Sequence, residues 1–413
     1  MDKTVVEFYY DNDSSIKNDY FRWTPIRTRF DKTESVSKYK KKYGNYITTA
    51  ESVWRSIINP FTLDDIESLA NEKNYNESVE KLRKRIDHNL ILSERNQNKY
   101  YKFQSNIGKL QRNFHNWIKD MLITTYCSPI DGKKVNVLGI AEGRGGDIMK
   151  FYRAKVNFML ATDVSSDVIQ SSTDGALSRY RKFKSQKYLT NFTKMAFLQA
   201  DATVKFDYES QKQKILNMSP NNEKLLKKYF NDEKMMFDRI NCQFAIHYFF
   251  RNEDCWNNFT YNINNYLKKD GYIIITCFDG DLVNGLFKDK DLYEANYTDS
   301  KGEKKTFFSL KKNYKKTDKL GLGLSLSVFL SSFMNDFETE YLVSKDFLIK
   351  ELKEKCNLEL VDSRLFSELY ETNKNYFKNV IKYEDNLKTR DFLMNVSKYY
   401  DDMDSETEAS FKL

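Results

Sequence analysis

Short apolar runs alternate with amphipathic stretches through the middle of the chain, starting just after Pro129. Apolar runs of this length, separated by segments with helical spacing, are typical of buried strands in a parallel sheet. Five such strands are predicted, at residues 134–140, 157–163, 194–201, 235–243 and 272–278. The clearest helical segments between them are 147–154, 166–185 and 253–268. The pattern therefore predicts an α/β domain built on a doubly wound, mostly parallel sheet.

The flanking regions are patterned differently. Two short alternating runs near the start, at 4–10 and 20–30, predict strands, whereas the spacing of apolar residues over 110–126 predicts an amphipathic helix. A charged strand-and-loop insertion is expected from about 281 to 319. The chain is therefore divided into a small β region with a linker (1–75), a helical extension (76–130), the α/β domain (131–400) and an acidic tail (401–413) that we expect to be flexible.

Composition adds a candidate partner to this picture. The 413 residues include 40% apolar side chains, enough for sizeable cores, and the net charge of +8 comes with 15% aromatic residues. A basic, aromatic-rich chain suits an anionic partner such as nucleic acid. The Lys-rich run from Lys38 to Tyr43 could contact phosphates, although a solvated surface is the more usual explanation of such a run.

Cysteines and apolar runs indicate where the chain is expected to work. The five cysteines are odd in number and form no C-x-x-C pair, so neither a disulfide framework nor a zinc ribbon is predicted. A reducing compartment fits best. No apolar run approaches about 18 residues and no signal peptide is recognisable, so we expect a cytoplasmic protein without a membrane partner.

A glycine turn follows the first strand of the α/β domain, in the sequence GRGGD (143–147). Glycine lets the backbone approach a ligand closely, but the spacing is not G-x-G-x-x-G, and a purely structural turn is the alternative. Asp163 ends the second strand, where a carboxylate can accept ribose hydroxyls, and Asp201 ends the third, near an adenine position. Together they predict a nucleoside cofactor without a pyrophosphate.

Four longer stretches then carry a resemblance. NFHNWIKDMLI, VLGIAEGRGGDIMKF, FDRINCQFAIHYFF and TEYLV resemble, in order and spacing, the motifs of messenger-RNA cap guanine-N7 methyltransferases, over residues 110–366. The resemblance implies a class I, Rossmann-like methyltransferase that uses S-adenosyl-L-methionine and acts on capped RNA. The DGD after the fifth strand is more similar to the capping enzymes of large cytoplasmic DNA viruses or cytoplasmic linear plasmids.

A second resemblance concerns the first region. WTPIRTRFDK (23–32) is similar to the motif that ends the OB-fold of capping guanylyltransferases. It implies that residues 1–75 are the tail of such a fold and that the chain is the C-terminal part of a multifunctional capping enzyme. The expected partners are the triphosphatase and guanylyltransferase domains of that enzyme and a small activating subunit. The K-x-D-G match at Lys268 to Gly271 is interpreted as a turn before a strand rather than a guanylyltransferase nucleophile.

The methyltransferase resemblance also implies a site. Lys119 would neutralise the methionine carboxylate, Gln243 and Tyr248 would border the sulfonium, and Glu340 would accept hydrogen bonds from guanine. The implied cofactor residues are Lys119, Ala141, Gly143, Asp163, Asp201, Gln243 and Tyr248. The implied cap and RNA residues are His115, Asn116, Arg144, Phe244, His247 and Glu340. Guanine N7 carries a lone pair and no proton, so positioning and electrostatics suffice and no catalytic acid or base is expected, with Glu340, His247 and Tyr248 lining the reaction site.

Several positions depart from the family pattern. Gly139 replaces the acid of the first strand and Glu142 replaces a cysteine, so Glu142 is a candidate substitute for the missing carboxylate. His115 replaces Asn, and Arg144 replaces Lys. The family's closing strand, with its aromatic residue near the guanine, is not recognised. These departures leave open a catalytically degenerate module that binds capped RNA or a capping subunit. A 2′-O ribose methyltransferase would need a base-like lysine.

Overall fold

The computed structural model describes residues 4–11, 22–39, 62–70 and 107–411, except 217, 233, 289, 316–319 and 332–336, together with the single positions 53, 54, 57, 75 and 78. The chain divides into two units, residues 1–96 and 97–413, which are described separately. The basic run beyond Tyr39 and most of the predicted helical extension before Ile107 lie outside the described residues.

The first unit contains the two predicted strands. They form an antiparallel pair, β1 (Val6–Tyr10) and β2 (Trp23–Thr28), in which Glu7 and Arg27 face each other with 2.9 Å between Oε2 and Nε. The helices α1 (Phe30–Tyr39) and α2 (Leu63–Ala70) follow. Two strands do not define an OB-fold, so that assignment stays a prediction.

The second unit is built on the predicted parallel sheet. Its strands are β3 (Asn136–Ile140), β4 (Phe158–Asp163), β5 (Lys194–Gln199), β6 (Phe237–Gln243) and β7 (Leu267–Thr276). They pair in parallel in the order β5-β4-β3-β6-β7. The chain therefore builds outward from β3 to β5 and then crosses back to β6. This reversal opens a crevice at the carboxyl ends of β3 and β6, where doubly wound sheets bind ligands.

Helices cover both faces of this sheet. They are α3 (Lys109–Cys127), α4 (Ile148–Arg153), α5 (Ser166–Gln170), α6 (Ala176–Lys184), α7 (Tyr208–Lys214), α8 (Pro220–Leu226) and α9 (Glu253–Tyr266). Along β3, Leu138 and Ile140 pack into one apolar cluster while Val137 packs into another. Burial on both faces explains why these strands are almost continuously apolar in sequence.

The prediction of one helix over 166–185 is wrong in one respect, because the structure has two shorter helices there, α5 and α6. The break covers residues 171–175, where Ser171 donates a hydrogen bond of 2.6 Å from Oγ to Oδ1 of Asp174. Short polar side chains that bond locally compete with the helix backbone, and Gly175 follows them. The helical spacing of apolar residues continues across this segment, but hydrogen bonds between its polar side chains end the helix.

A second, antiparallel sheet follows. After α10 (Gly280–Phe287) come β8 (Leu292–Thr298), β9 (Lys304–Lys312), β10 (Ser325–Leu330) and β11 (Glu338–Tyr341), in the order β11-β10-β9-β8. The strands β8 and β9 confirm the predicted insertion, whereas α10 was not expected. Glu340 lies opposite Leu326 on the buried side of β11. A charged residue at a buried strand position indicates a functional or paired carboxylate.

Four helices complete the unit: α11 (Lys345–Cys356), α12 (Phe366–Tyr383), α13 (Leu387–Asp401) and α14 (Ser405–Phe411). Aromatic and aliphatic side chains of α12 and α13 pack against the apolar side of α3. Phe114 stacks on Tyr399 with 4.6 Å between ring centroids. This packing fixes the helix that carries His115, Asn116 and Lys119. No helix in the described ranges is long and apolar enough to cross a membrane.

The prediction of a flexible acidic tail is wrong for residues 405–411. In α14, Ala409 is 2% exposed and belongs to the apolar cluster beneath the second sheet. Glu406 accepts a hydrogen bond from the backbone N–H of Gly108, just before α3. Composition was misleading because the small residues of this helix are buried, while Glu408 is exposed and Glu406 bonds the backbone before α3.

We expect Ala409→Asp to lower the free energy of unfolding by about 3 kcal/mol, because an unpaired carboxylate would be buried in an apolar cluster. Urea unfolding followed by circular dichroism measures the change. Met403→Asp is the matched control, since Met403 is 48% exposed, and should change stability by less than about 0.5 kcal/mol. Equal effects of the two substitutions would show that the tail is not packed.

Candidate active site

Two sharp backbone turns mark the crevice between β3 and β6. Ala141 follows β3 and Phe244 follows β6, and both have left-handed backbone, with φ of 57° and 54°. Such a conformation costs a non-glycine residue of order 1–3 kcal/mol and persists where the surroundings enforce it. Here the N–H of Phe244 donates to the backbone oxygen of Thr276 at 2.9 Å and to its Oγ1 at 3.1 Å.

Asp163 fastens the glycine loop to the neighbouring strand. Its Oδ2 accepts from the N–H of Gly143 and its Oδ1 from the N–H of Ser165, both at 2.9 Å. Burial raises the pKa of Asp163 to about 6, although these two donors act in the opposite direction. Each carboxylate oxygen has more than one lone pair, so Asp163 keeps the capacity to accept from a ligand hydroxyl.

Asp201 is close enough to Asp163 for its charge to contribute to that raised pKa. Its Oδ1 accepts from the N–H and the hydroxyl of Thr203, at 2.8 and 2.6 Å, and Lys214 Nζ lies 3.7 Å from Oδ2. The structure thus brings together the two carboxylates predicted from the strand ends. Asp201 also shapes its own loop through these bonds.

Lys119 on α3 is held by Asp147 at the end of the glycine loop. Its Nζ lies 2.9 and 3.0 Å from the two oxygens of Asp147. Lys150 Nζ is 2.6 Å from Asp147 Oδ1 and 3.1 Å from Oδ1 of Asn116. Burial would raise the pKa of Asp147, but the two ammonium groups lower it to about 2. This network joins α3, the loop and α4.

Glu142 stands at the end of a directed chain of hydrogen bonds. Thr276 Oγ1 donates to Gln243 Oε1 at 2.7 Å, and Gln243 Nε2 donates to Asn241 Oδ1 at 2.9 Å. Asn241 Nδ2 then donates to Glu142 Oε1 at 2.7 Å. Burial, together with the charge of Asp147, raises the pKa of Glu142 to about 8. The carboxyl is therefore largely protonated at neutral pH.

Three rings meet beside this network. His115 of α3 stacks on Phe244 with 5.1 Å between centroids, and Phe366 of α12 lies edge-on to both, at 5.7 and 5.9 Å. Burial and the charge of Lys119 lower the pKa of His115 to about 4, so the imidazole is neutral at physiological pH. The cluster offers flat apolar faces of the kind on which a purine can stack.

His247, in the short 3-10 helix Ile246–Arg251 that follows β6, approaches Glu340 of β11. His247 Nε2 lies 3.9 Å from Glu340 Oε2, beyond hydrogen-bond distance, and both side chains are buried. Burial lowers the pKa of His247, although the carboxylate acts in the opposite direction. His247 Nε2 has no hydrogen-bond partner among the described residues. Tyr248 packs on the imidazole with 4.1 Å between centroids.

Arg144 is placed differently from the other predicted cap residues. Its guanidinium is 2.8 Å from Asp167 Oδ2 and 2.6 Å from Asp174 Oδ1, and the residue is 8% exposed. A phosphate would have to compete with these two carboxylates. Its contact with the triphosphate therefore stays a prediction, and the geometry supports a structural role for Arg144 beside the loop.

The structure adds residues that sequence reasoning missed. Asp147 and Lys150 could have been found, since Asp147 ends the GRGGD motif. Asn241 carries no such signal, because it reads as a buried strand residue. Phe366 adds an aromatic ring to His115 and Phe244, and it begins α12, far along the chain from both. Among the described residues, no group of three or more His, Cys, Asp or Glu side chains could hold a metal ion.

Comparison with known proteins extends this picture. The family model for the mRNA (guanine-N(7))-methyltransferase domain matches residues 70–410. A probable mRNA-capping enzyme of Acanthamoeba polyphaga mimivirus is 43% identical over 386 residues, covering 91% of this chain and 32% of that protein. The mRNA-capping enzyme catalytic subunit of fowlpox virus is 26% identical over 381 residues, covering 89% of this chain and 38% of that one.

A third relative is shorter in coverage. The mRNA cap guanine-N(7) methyltransferase of Drosophila melanogaster is 27% identical over 176 residues, or 41% of this chain and 36% of that protein. The chain thus spans about a third of the length of these relatives.

We expect the stability of the ligand-free protein to fall as pH rises through neutrality. The pKa of Glu142 is raised from its ordinary 4.5 to about 8, so the folded state binds this proton more tightly than the unfolded chain between those values. The contribution of Glu142 to stability is greatest below its ordinary pKa and is lost up to about pH 8, with a slope of up to about 1.4 kcal/mol per pH unit.

Urea unfolding at about pH 7 and at about pH 8, both close to this transition, measures that slope. Glu142→Gln should remove most of it, whereas Glu209→Gln, on the exposed side of α7, should keep it. An unchanged slope in Glu142→Gln would contradict the protonated state of the carboxyl.

Proposed function

The chain belongs to the mRNA (guanine-N(7))-methyltransferase family, and from this membership we propose that it transfers a methyl group from S-adenosyl-L-methionine to N7 of the terminal guanine of GpppN-capped RNA. The observation that carries the proposal is that two strand ends are tied to the same glycine loop: Asp163 accepts from Gly143, and Gln243 is linked through Asn241 to Glu142. The proposal concerns this domain alone, because the chain spans about a third of the length of its relatives.

S-adenosyl-L-methionine is the methyl donor of this family, and the residues at the crevice fit it. Asp163 retains acceptor capacity for the ribose hydroxyls, and Lys119 carries the positive charge that a methionine carboxylate requires. Asp147 holds Lys119 in place at 2.9 Å. Ala141 and Gly143, both with left-handed backbone, turn the loop at the end of β3. When bound, the donor supplies a methyl group on a positively charged sulfur.

Glu340 is the residue we assign to guanine recognition. It is 6% exposed on β11, and its Oε2 lies 3.9 Å from His247 Nε2. A buried carboxylate can accept from guanine N1–H and N2–H, whereas adenine presents no such pair of donors. The purine would stack in the region of Phe244, His115 and Phe366, where the rings of His115 and Phe244 are already stacked and Phe366 lies edge-on to both.

The electrostatics of the site suit movement of a positive charge from sulfur to the purine. Burial lowers the pKa of both His115 and His247, so neither imidazole opposes a cationic product at physiological pH. Carboxylates lie nearby at Asp163 and Glu340. Because guanine N7 has no proton to remove, positioning and this field supply the catalysis.

The competing 2′-O ribose reaction requires a lysine that can act as a base. Burial lowers the pKa of Lys150, which makes it the best candidate among the described residues. Its ammonium, however, contacts Asp147 at 2.6 Å, Asn116 at 3.1 Å and the backbone oxygen of Gly146 at 3.4 Å. A cation held by three acceptors is favoured as a structural group, so this alternative is not preferred.

The partners follow the same reasoning. Capped RNA is the proposed substrate, and the longer capping relatives support further triphosphatase and guanylyltransferase domains working with this one. The fowlpox relative is called a catalytic subunit, which supports an additional activating subunit. We propose the cytoplasm as the place of action, on the similarity to these viral proteins. The alternative is a degenerate module that only binds capped RNA, and it predicts binding without methyl transfer.

Radiolabelled methyl transfer to unmethylated GpppA-capped RNA, followed by nuclease digestion, tests the proposal. We expect the label on guanine N7. Binding of S-adenosylmethionine or capped RNA without any transfer, even with an added partner subunit, would support the degenerate module instead. Label on a ribose would support the 2′-O reaction.

Two substitutions separate the halves of the site. Glu340→Ala should reduce methyl transfer by at least about 100-fold while leaving cofactor affinity within about threefold, because it removes the carboxylate proposed to hold guanine and leaves the proposed cofactor residues unchanged. Asp163→Ala should weaken cofactor binding first. Thr339→Ala, the exposed neighbour on β11, is the control and should leave both unchanged. Equal losses of transfer and cofactor affinity in Glu340→Ala would show that the guanine pocket is misplaced.

A further inference from the structure

Gly139 and Glu142 share one space at the end of β3. Gly139 is buried between Ala161 of β4 and Asn241 of β6. A Cβ built on Gly139 would collide with Glu142 Oε1 and lie 2.5 Å from Glu142 Cγ and 2.6 Å from Met159 Cε. The volume in which a strand side chain would begin is therefore filled by Glu142, which reaches back from the loop.

We propose that Glu142 binds the α-ammonium group of S-adenosylmethionine, and that Gly139 lacks a side chain so that this carboxylate can occupy the strand position. The inference rests on the proposed function, because it concerns the same cofactor. On this proposal the acidic side chain comes from the loop, at Glu142, and no longer from the strand position that Gly139 occupies.

The hydrogen bonds around Glu142 prepare it for a second donor. Within the described residues its hydrogen-bond partner is Asn241, which bonds Oε1 alone at 2.7 Å. Asn241 is itself oriented by Gln243 at 2.9 Å, and Gln243 by Thr276 at 2.7 Å. The amide of Asn241 therefore points its N–H at Glu142, and Oε2 remains for a ligand. The residue as a whole is half-buried.

The charges around Glu142 favour a ligand cation. Asp147 and Asp163 act on it as negative neighbours and Lys119 as a positive one, but Lys119 is already paired with Asp147 at 2.9 Å. Two buried thiols, Cys127 and Cys242, also face it, and burial raises their pKa, which keeps them uncharged at neutral pH. Lys119 and Glu142 together provide opposite charges for an amino-acid zwitterion.

Binding should therefore release a proton. In the free protein the carboxyl of Glu142, with a pKa of about 8, is mostly protonated at pH 7. When an ammonium N–H donates to it, the carboxylate form is favoured and its proton passes to the buffer. A net release of up to about one proton per cofactor bound is therefore expected at pH 7.

Calorimetric titration of the full chain with S-adenosylmethionine at pH 7, in two buffers of different ionisation enthalpy, measures affinity and proton release together. Glu142→Gln should lose the release and weaken binding at least tenfold. Asp163→Asn is the matched control, which should weaken binding while retaining the release. Wild-type affinity and wild-type release in Glu142→Gln would overturn the inference, while the proposed function would stand.

A reciprocal exchange tests the shared space. Gly139→Asp alone should lower the melting temperature by several degrees, because its Cβ meets Glu142, and Glu142→Cys alone should bind the cofactor at least tenfold more weakly. The double variant Gly139→Asp with Glu142→Cys should recover the melting temperature and most of the affinity. A double variant that binds no better than Glu142→Cys would overturn the exchange. Absence of binding by the unaltered chain would instead remove the proposed function.

Discussion

The ion pair between Lys119 and Asp147 holds the site together. It connects helix α3 to the glycine loop, and Lys150 extends the same network to Asn116. Because α3 is also packed against α12 and α13, this pair fixes the distance between the proposed cofactor end and the ring cluster at His115. A buried carboxylate between two cations is costly to disrupt, since removal of one partner leaves an uncompensated charge.

Much of the fold could be predicted, because its signals are local. Buried strands such as β3 and β4 are continuous apolar runs, and the acid that ends β4 follows from where the run stops. The misses have tertiary causes. The helix over 166–185 broke at a polar turn, and the tail folded because Ala409 finds an apolar cluster that composition does not reveal.

The candidate site was predictable to the extent that its residues lie in contiguous motifs. Asp163 and Gln243 end the strands β4 and β6, and His247 follows β6 within the same contiguous motif, so spacing locates all three. Phe366 reaches the rings of His115 and Phe244 only because α12 packs on α3, so no local pattern could place it. Arg144 is the opposite case. It stands at the motif position from which a phosphate contact was predicted, but its guanidinium is paired with Asp167 and Asp174.

The contact between Gly139 and Glu142 has an evolutionary consequence. With Glu142 present, an acid at position 139 meets an occupied space, and with Gly139 present, loss of Glu142 leaves this part of the crevice without its carboxyl. Each change is therefore unfavourable in the background of the other residue, so the two positions are expected to vary together among descendants. Alignment columns considered one at a time would score this pair as two losses, although on the proposed exchange the site keeps one carboxyl in the same space.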